Sequence, residues 1–237
     1  MKQSQSQRQT GSAQPLFASA RVWRWVAGFA VAVIVGHHVG TIFKPLGDIG
    51  RTRWADWIDL LTPYAVLGCA LVALAAAGAD RLGWLLFAVG AALYTQGHGI
   101  HLSANSIGNV TKDTAAEPVT DVVHLWDEVM GHYVWYAGWI LVVVALVRAL
   151  VRRDRVAGPL PYVLATLYGL TWMTNNVEGG TPILGLLGAA AFAWWGWRER
   201  ARAGRHLLAA YGVALLLFVV YGAWQGGFPQ FSEKGWI

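Results

Sequence analysis

Charge is the scarcest resource in this chain: Asp, Glu, Lys and Arg make up 13% of its 237 residues. A soluble domain of this size needs about twice that fraction to cover its surface. Cysteine is nearly absent too, with Cys69 alone in an apolar stretch. That excludes an intramolecular disulfide, a CxxC redox pair and a thiolate metal cluster. Aliphatic and aromatic residues supply 56% of the chain, with 14 Trp and 28 Gly. Such a composition argues against disorder, a coiled coil and a nucleic-acid-binding module, and it points to a chain that meets lipid.

The hydrophobic pattern predicts an all-α polytopic membrane protein with seven transmembrane helices. A spanning helix needs about 20 mostly apolar residues. Runs of that kind cover residues 22–40, 62–79, 82–101, 119–151 (apolar from Tyr133), 160–174, 181–197 and 206–225. The fifth and sixth are short, separated by the polar stretch from Asn175 to Gly180, and a single re-entrant hairpin is the alternative for them. Residues 1–20, rich in Gln, Ser and Arg, read as a disordered cytoplasmic tail, and 21–237 as the transmembrane domain. The apolar run after the tail shows no small-residue cleavage site and is read as a retained span.

The net charge of +5 is distributed by topology. Lys2, Arg8, Arg21 and Arg24 belong to the tail and the start of the first run, and Arg81 follows the second. Arg148, Arg152, Arg153 and Arg155 lie at and after the end of the fourth, and Arg198, Arg200, Arg202 and Arg205 follow the sixth. These are alternate loops, so the positive-inside rule gives a cytoplasmic amino terminus and an external carboxyl terminus. The setting is the inner (plasma) membrane of a prokaryote. The basic loops read as topology signals, with no nucleic-acid partner.

Ionisable groups inside spans are costly and by default face a bundle interior or a water-filled cavity. Six of the seven histidines fall at the outer ends of the predicted spans: His37, His38, His98, His101, His124 and His132. Asp127, Glu128, Asn175, Asn176, Glu178 and Gln225 lie at the same level, whereas His206 sits at the cytoplasmic end. At about 100° per residue, His98 and His101 share a face, and so do His124, Glu128 and His132, with Asp127 on their flank. His37 and His38 point about 100° apart, so one of them faces inward. Imidazole with carboxylate is a ligand set for zinc, iron or copper rather than calcium or magnesium. The expected metal ligands are His38, His98, His101, His124, His132 and Glu178, with Asp127 and Glu128 as the acid–base pair. A proton relay and plain structural packing are the competing readings of the cluster. The tryptophans read as interface anchors, and the glycines at 97, 99, 131, 179 and 180 as helix-packing positions.

The run Gly97-His98-Gly99-Ile100-His101-Leu102-Ser103, followed by His124-Leu125-Trp126-Asp127-Glu128-Val129-Met130, resembles the alkaline ceramidase branch of the seven-helix hydrolase superfamily that includes the adiponectin-receptor proteins. The resemblance covers about a fifth of the chain. It implies a zinc-binding histidine at His101, with His98 the competing match, an aspartate at Asp127 and a glutamate at Glu128. It also implies zinc-dependent amide hydrolysis of a lipid within the bilayer. The family's His-x-x-x-His pair in the last helix has no counterpart here, so further ligands would come from His132, His124, His37 or His38, and Glu178. The expected activity is metal-dependent hydrolysis of a lipid amide or ester. The alternatives are a membrane redox protein, holding a di-iron centre or a b-type heme, and a metal or proton transporter.

Overall fold

A computed structural model describes residues 14–111, 113 and 116–236, with side chains from residue 20. The chain is all-helical apart from one small hairpin. In order it forms α1 (Gln14–Gly36), α2 (Val39–Ile42), strands β1 (Asp48–Ile49) and β2 (Thr52–Arg53), α3 (Trp54–Asp59), α4 (Thr62–Ala77) and α5 (Arg81–Thr111). Then come α6 (Glu117–His124), a π-helical turn (Leu125–Gly131), α7 (His132–Leu150), α8 (Leu160–Glu178), α9 (Pro182–Arg198) and α10 (Gly204–Gln225). The two strands pair antiparallel, Asp48 with Arg53 and Ile49 with Thr52.

Helices occupy every apolar run. Among the described residues, three helical stretches are long and apolar enough to cross a membrane: Trp54–Ala77, Glu117–Leu150 and Gly204–Gln225. Three boundaries differ from expectation. Helix α1 starts at Gln14, inside the segment read as tail, and residues 1–13 lie outside the described residues. It stops at Gly36, and a turn through His37 and His38 leads into α2. Helix α5 runs ten residues beyond His101, because Leu102-Ser103-Ala104-Asn105 lacks Pro and continues to bury Leu102 and Ala104.

Packing is most extensive between α5 and α7. A Cβ at Gly97 would strike the main chain of Trp135, one at Gly138 that of Tyr94, and one at Gly90 the backbone around Gly138 and Val142. Small residues let backbones approach in this way. The core beside this seam is aromatic, with Tyr94, Tyr136, Trp139, Trp172, Tyr211 and Phe218 all fully buried. Trp135, Trp139 and Trp172 are thus core residues, not interface anchors. Trp194 and Trp197 do lie exposed beneath the guanidiniums of Arg198 and Arg200.

One end of the bundle gathers the cations. Arg148 bridges to Asp80 at 2.6 Å, Arg153 donates to Ala77 O, Arg202 donates to Arg152 O, and Arg152 pairs with Glu199. Between α4 and α5, the Asp80 carboxyl is held down to about 2 by the Arg148 guanidinium and the Gly83 N–H. The histidines other than His206 lie toward the opposite end.

Candidate functional site

The site is built where α5 meets the π-helical turn. At Gly131 a Cβ would fall 2.9 Å from His101 N and 3.0 Å from His101 Cα, so glycine there lets the two backbones touch. A π turn is wider than an α turn and is frequent at functional sites. It shifts the register of the predicted stripe: His124 ends exposed on α6, Asp127 turns inward and is buried, and Glu128 is half-buried. The expected shared face of His124, Glu128 and His132 therefore loses His124.

Three imidazole–carboxylate contacts result. His101 Nδ1 lies 2.6 Å from Asp127 Oδ1. The two atoms are poorly aligned for a hydrogen bond, and both are buried without one. His132 Nδ1 lies 3.5 Å from Glu128 Oε2 and 3.2 Å from Glu128 O, one turn away. His98, 2% exposed, places Nε2 3.2 Å from Asp59 Oδ1, which also accepts from Thr62 Oγ1 at 2.7 Å. The rings of His101 and His132 are neighbours, with centroids 4.4 Å apart.

One indole organises these rings. The Trp135 centroid is 4.8 Å from His98, 5.0 Å from His37, 5.4 Å from His101 and 6.1 Å from His132. Its Nε1 is buried with no acceptor. His37, not the expected His38, faces this hub: it packs between Trp135 and Trp139 and sets Nε2 3.4 Å from Tyr94 OH. Both imidazoles turn Nδ1 back to α1, His37 to Val33 O and His38 to Ile34 O, but His38 makes no ring contact with the hub. The choice between the adjacent pair follows from α1 ending at Gly36, which swings His38 out with the turn.

Glu178 ends α8 beside the cluster, but its carboxylate is occupied. It accepts from Phe231 N at 2.7 Å and Ser232 N at 3.2 Å, so it anchors the segment after α10 rather than meeting the imidazoles. Within that segment Gln230 Nε2 donates to Glu128 Oε2 at 3.0 Å. Gly179 makes room for Tyr136 OH and the His132 ring against the end of α8.

The structure thus brings together His101, His132, Asp127 and Glu128, and sets His98 next to them across Trp135. It leaves His38, His124 and Glu178 outside. Among the described residues no three His, Cys, Asp or Glu side chains stand in a ready coordination group. The donor chemistry still suits a metal at the central pair. A ligating histidine usually has its other nitrogen held by a carboxylate or carbonyl, and Nδ1 of both His101 and His132 faces an acid, which leaves Nε2 as the ligand atom. A heme axial pair does not fit these two rings, because centroids 4.4 Å apart leave no room for a macrocycle between them. Sequence reasoning missed Asp59, Trp135 and Gln230, and left His37 as the alternative to His38. Asp59 carried a signal, since it closes a short helix immediately before the apolar run that α4 forms.

No family model, curated protein or solved structure matches this chain.

Proposed function

We propose that the protein is a seven-helix membrane hydrolase acting on a lipid amide or ester, with its amino terminus cytoplasmic and the His/carboxylate cluster at the external membrane face. The observation that carries this reading is the adjoining pair of imidazole–carboxylate contacts, His101–Asp127 and His132–Glu128, held side by side at 4.4 Å. Its placement at the end of the bundle remote from the arginine loops supports the orientation.

Each residue has a defined part. Asp127, buried on the π turn, orients the His101 imidazole. Glu128, 29% exposed, is the carboxylate a substrate could reach and the carrier of a proton from attacking water to leaving group. His132 packs on His101 and keeps its Nδ1 toward Glu128. His101 and His132 would hold zinc, whose contribution is a bound water acidic enough to be deprotonated near pH 7. The flanking indoles and the glycine-lined seam exclude bulk water from the inner side, which strengthens every charge interaction in the site.

Elemental analysis of protein purified in detergent tests this first, and about one equivalent of zinc is the expected result. His101→Ala and Asp127→Ala should then lose metal together with hydrolysis of an N-acyl or O-acyl lipid. Both variants retaining full metal would remove the cluster from the mechanism. Orientation is tested in a Cys69→Ser background with cysteines placed at Asn109 and Arg200. Asn109→Cys should react from outside spheroplasts and Arg200→Cys only after lysis.

A further inference from the structure

Beyond the cluster itself, the segment from Gly226 to Trp236 folds back over the end of the bundle, and its fastening is specific. Tyr221 OH donates to Pro229 O at 2.7 Å, and Glu178 receives the two successive N–H groups of Phe231 and Ser232. Phe231 packs on Tyr221 with centroids 5.2 Å apart, and Trp236 stacks on Trp224 at 5.5 Å. This seats Gln230 at the mouth of the site, where its Nε2 serves two acceptors: Glu128 Oε2 at 3.0 Å and Glu178 O at 2.6 Å.

We infer that Gln230 is a positioning residue: it fixes the Glu128 carboxylate beside His132, and the strap that carries it forms the outer wall of the site. The distances divide the labour. His132 Nδ1 at 3.5 Å is too far from Glu128 Oε2 to hold it in one orientation, whereas the Gln230 contact is a full hydrogen bond to a charged acceptor. The requirement is for glutamine in particular. An amide nitrogen offers two hydrogens, and here one goes to each acceptor. Glutamate would withdraw both donors and bring a second negative charge against Glu128.

The inference rests on reading the cluster as the working site, and its test needs no turnover. Full-length protein in detergent is treated with diethyl pyrocarbonate at pH 7, and each histidine is followed by peptide mass spectrometry. Gln230→Glu should label His132 at least fivefold faster than wild type. Glu178→Ala, which cuts the strap's two backbone anchors without touching Glu128, should also raise His132 labelling. His98 and His206 should stay at wild-type rates throughout. Unchanged His132 labelling in Gln230→Glu overturns the assignment. So does a rise shared with His98, which would mean general loosening. Failure of the hydrolase assays leaves this readout standing, so the two ideas fall separately.

Discussion

Two glycines on α5, Gly97 and Gly99, should respond in opposite directions to the same added methyl group. At Gly97 a Cβ would sit 2.6 Å from Trp135 Cα and 2.8 Å from Gly131 O, with no flexible side chain able to yield. Real Cβ atoms essentially never come within 3.0 Å of such a neighbour, so Gly97→Ala must push α5 and α7 apart by several tenths of an ångström along the seam. Overpacking of this kind costs about 1–3 kcal/mol. For a chain of this size that is a fall of about 2–12 °C in Tm. The same displacement acts on the neighbouring contact between His101 and Asp127, which has no slack at 2.6 Å, so activity and metal content should drop further than stability alone explains. Gly99 has nothing within 4 Å of its Cβ position and sits exposed inside a helix. Gly99→Ala should therefore stabilise by about 0.5–1 kcal/mol, the helix-interior difference between the two residues. Thermal unfolding of both variants in one detergent, followed by tryptophan fluorescence, makes the comparison. Equal shifts, or a silent Gly97→Ala, would refute the close approach on which the site depends.

Other consequences are quicker to state. Asp59→Asn should leave the His101–Asp127 contact intact while loosening His98, giving faster carbethoxylation of His98 with little change at His101; the reverse pattern would contradict the pairing. The Asp80 carboxyl is depressed to about 2 by Arg148, so its stabilising effect is complete above the ordinary carboxylate range and is lost as pH falls from about 4 toward 2. Asp80→Asn should accordingly lower Tm at pH 6 and make no difference near pH 2, as a pH series of melting curves would show. Trp139→Phe removes the donor to Tyr168 OH, a fully buried 2.8 Å hydrogen bond, and should cost about 1–3 kcal/mol through the lost bond and the lost ring volume. A loss below about 0.5 kcal/mol in the same melting assay would mean that Tyr168 is satisfied by Tyr211 alone.

The helices were legible because their signal is bulk hydrophobicity over long stretches, which neighbours do not alter. The level of the polar residues was legible for the same reason: lipid penalises charge wherever it falls. Register was harder. A straight α-helical wheel places His124 with Glu128 and His132, and one π turn between Leu125 and Gly131 undoes that grouping. Nothing in the single sequence marks a π turn. The choice between His37 and His38 depended in the same way on a helix ending at Gly36 rather than Gly40. Gln230 was invisible for a different reason. It lies 102 residues from Glu128 in the chain, and a lone glutamine in a Gly/Pro-containing segment carries no periodicity from which a contact could be read.

The same few residues set both packing and chemistry. Gly97 and Gly131 bring α5 against α7 and the π turn at the level where His98, His101 and His132 project. Trp135, at the centre of that seam, brings its own main chain against Gly97 and sets its indole edge-on to His98 and stacked with His101 and His132. Each carboxylate then has one ring within reach and little freedom to choose another. A polar cluster scattered among flexible side chains would cost stability with nothing gained. Here the imidazoles are fixed by rings and acids before any ligand arrives, which is the condition for a site that works without reorganising. Trp135 Nε1, like His101 Nδ1 and Asp127 Oδ1, is buried in this seam without a hydrogen bond. Trp135→Phe would keep an aromatic ring there and remove that N–H. If His101 and His132 keep their labelling rates in that variant, the indole's part is its flat surface. If the rates rise, its N–H takes part in holding the cluster.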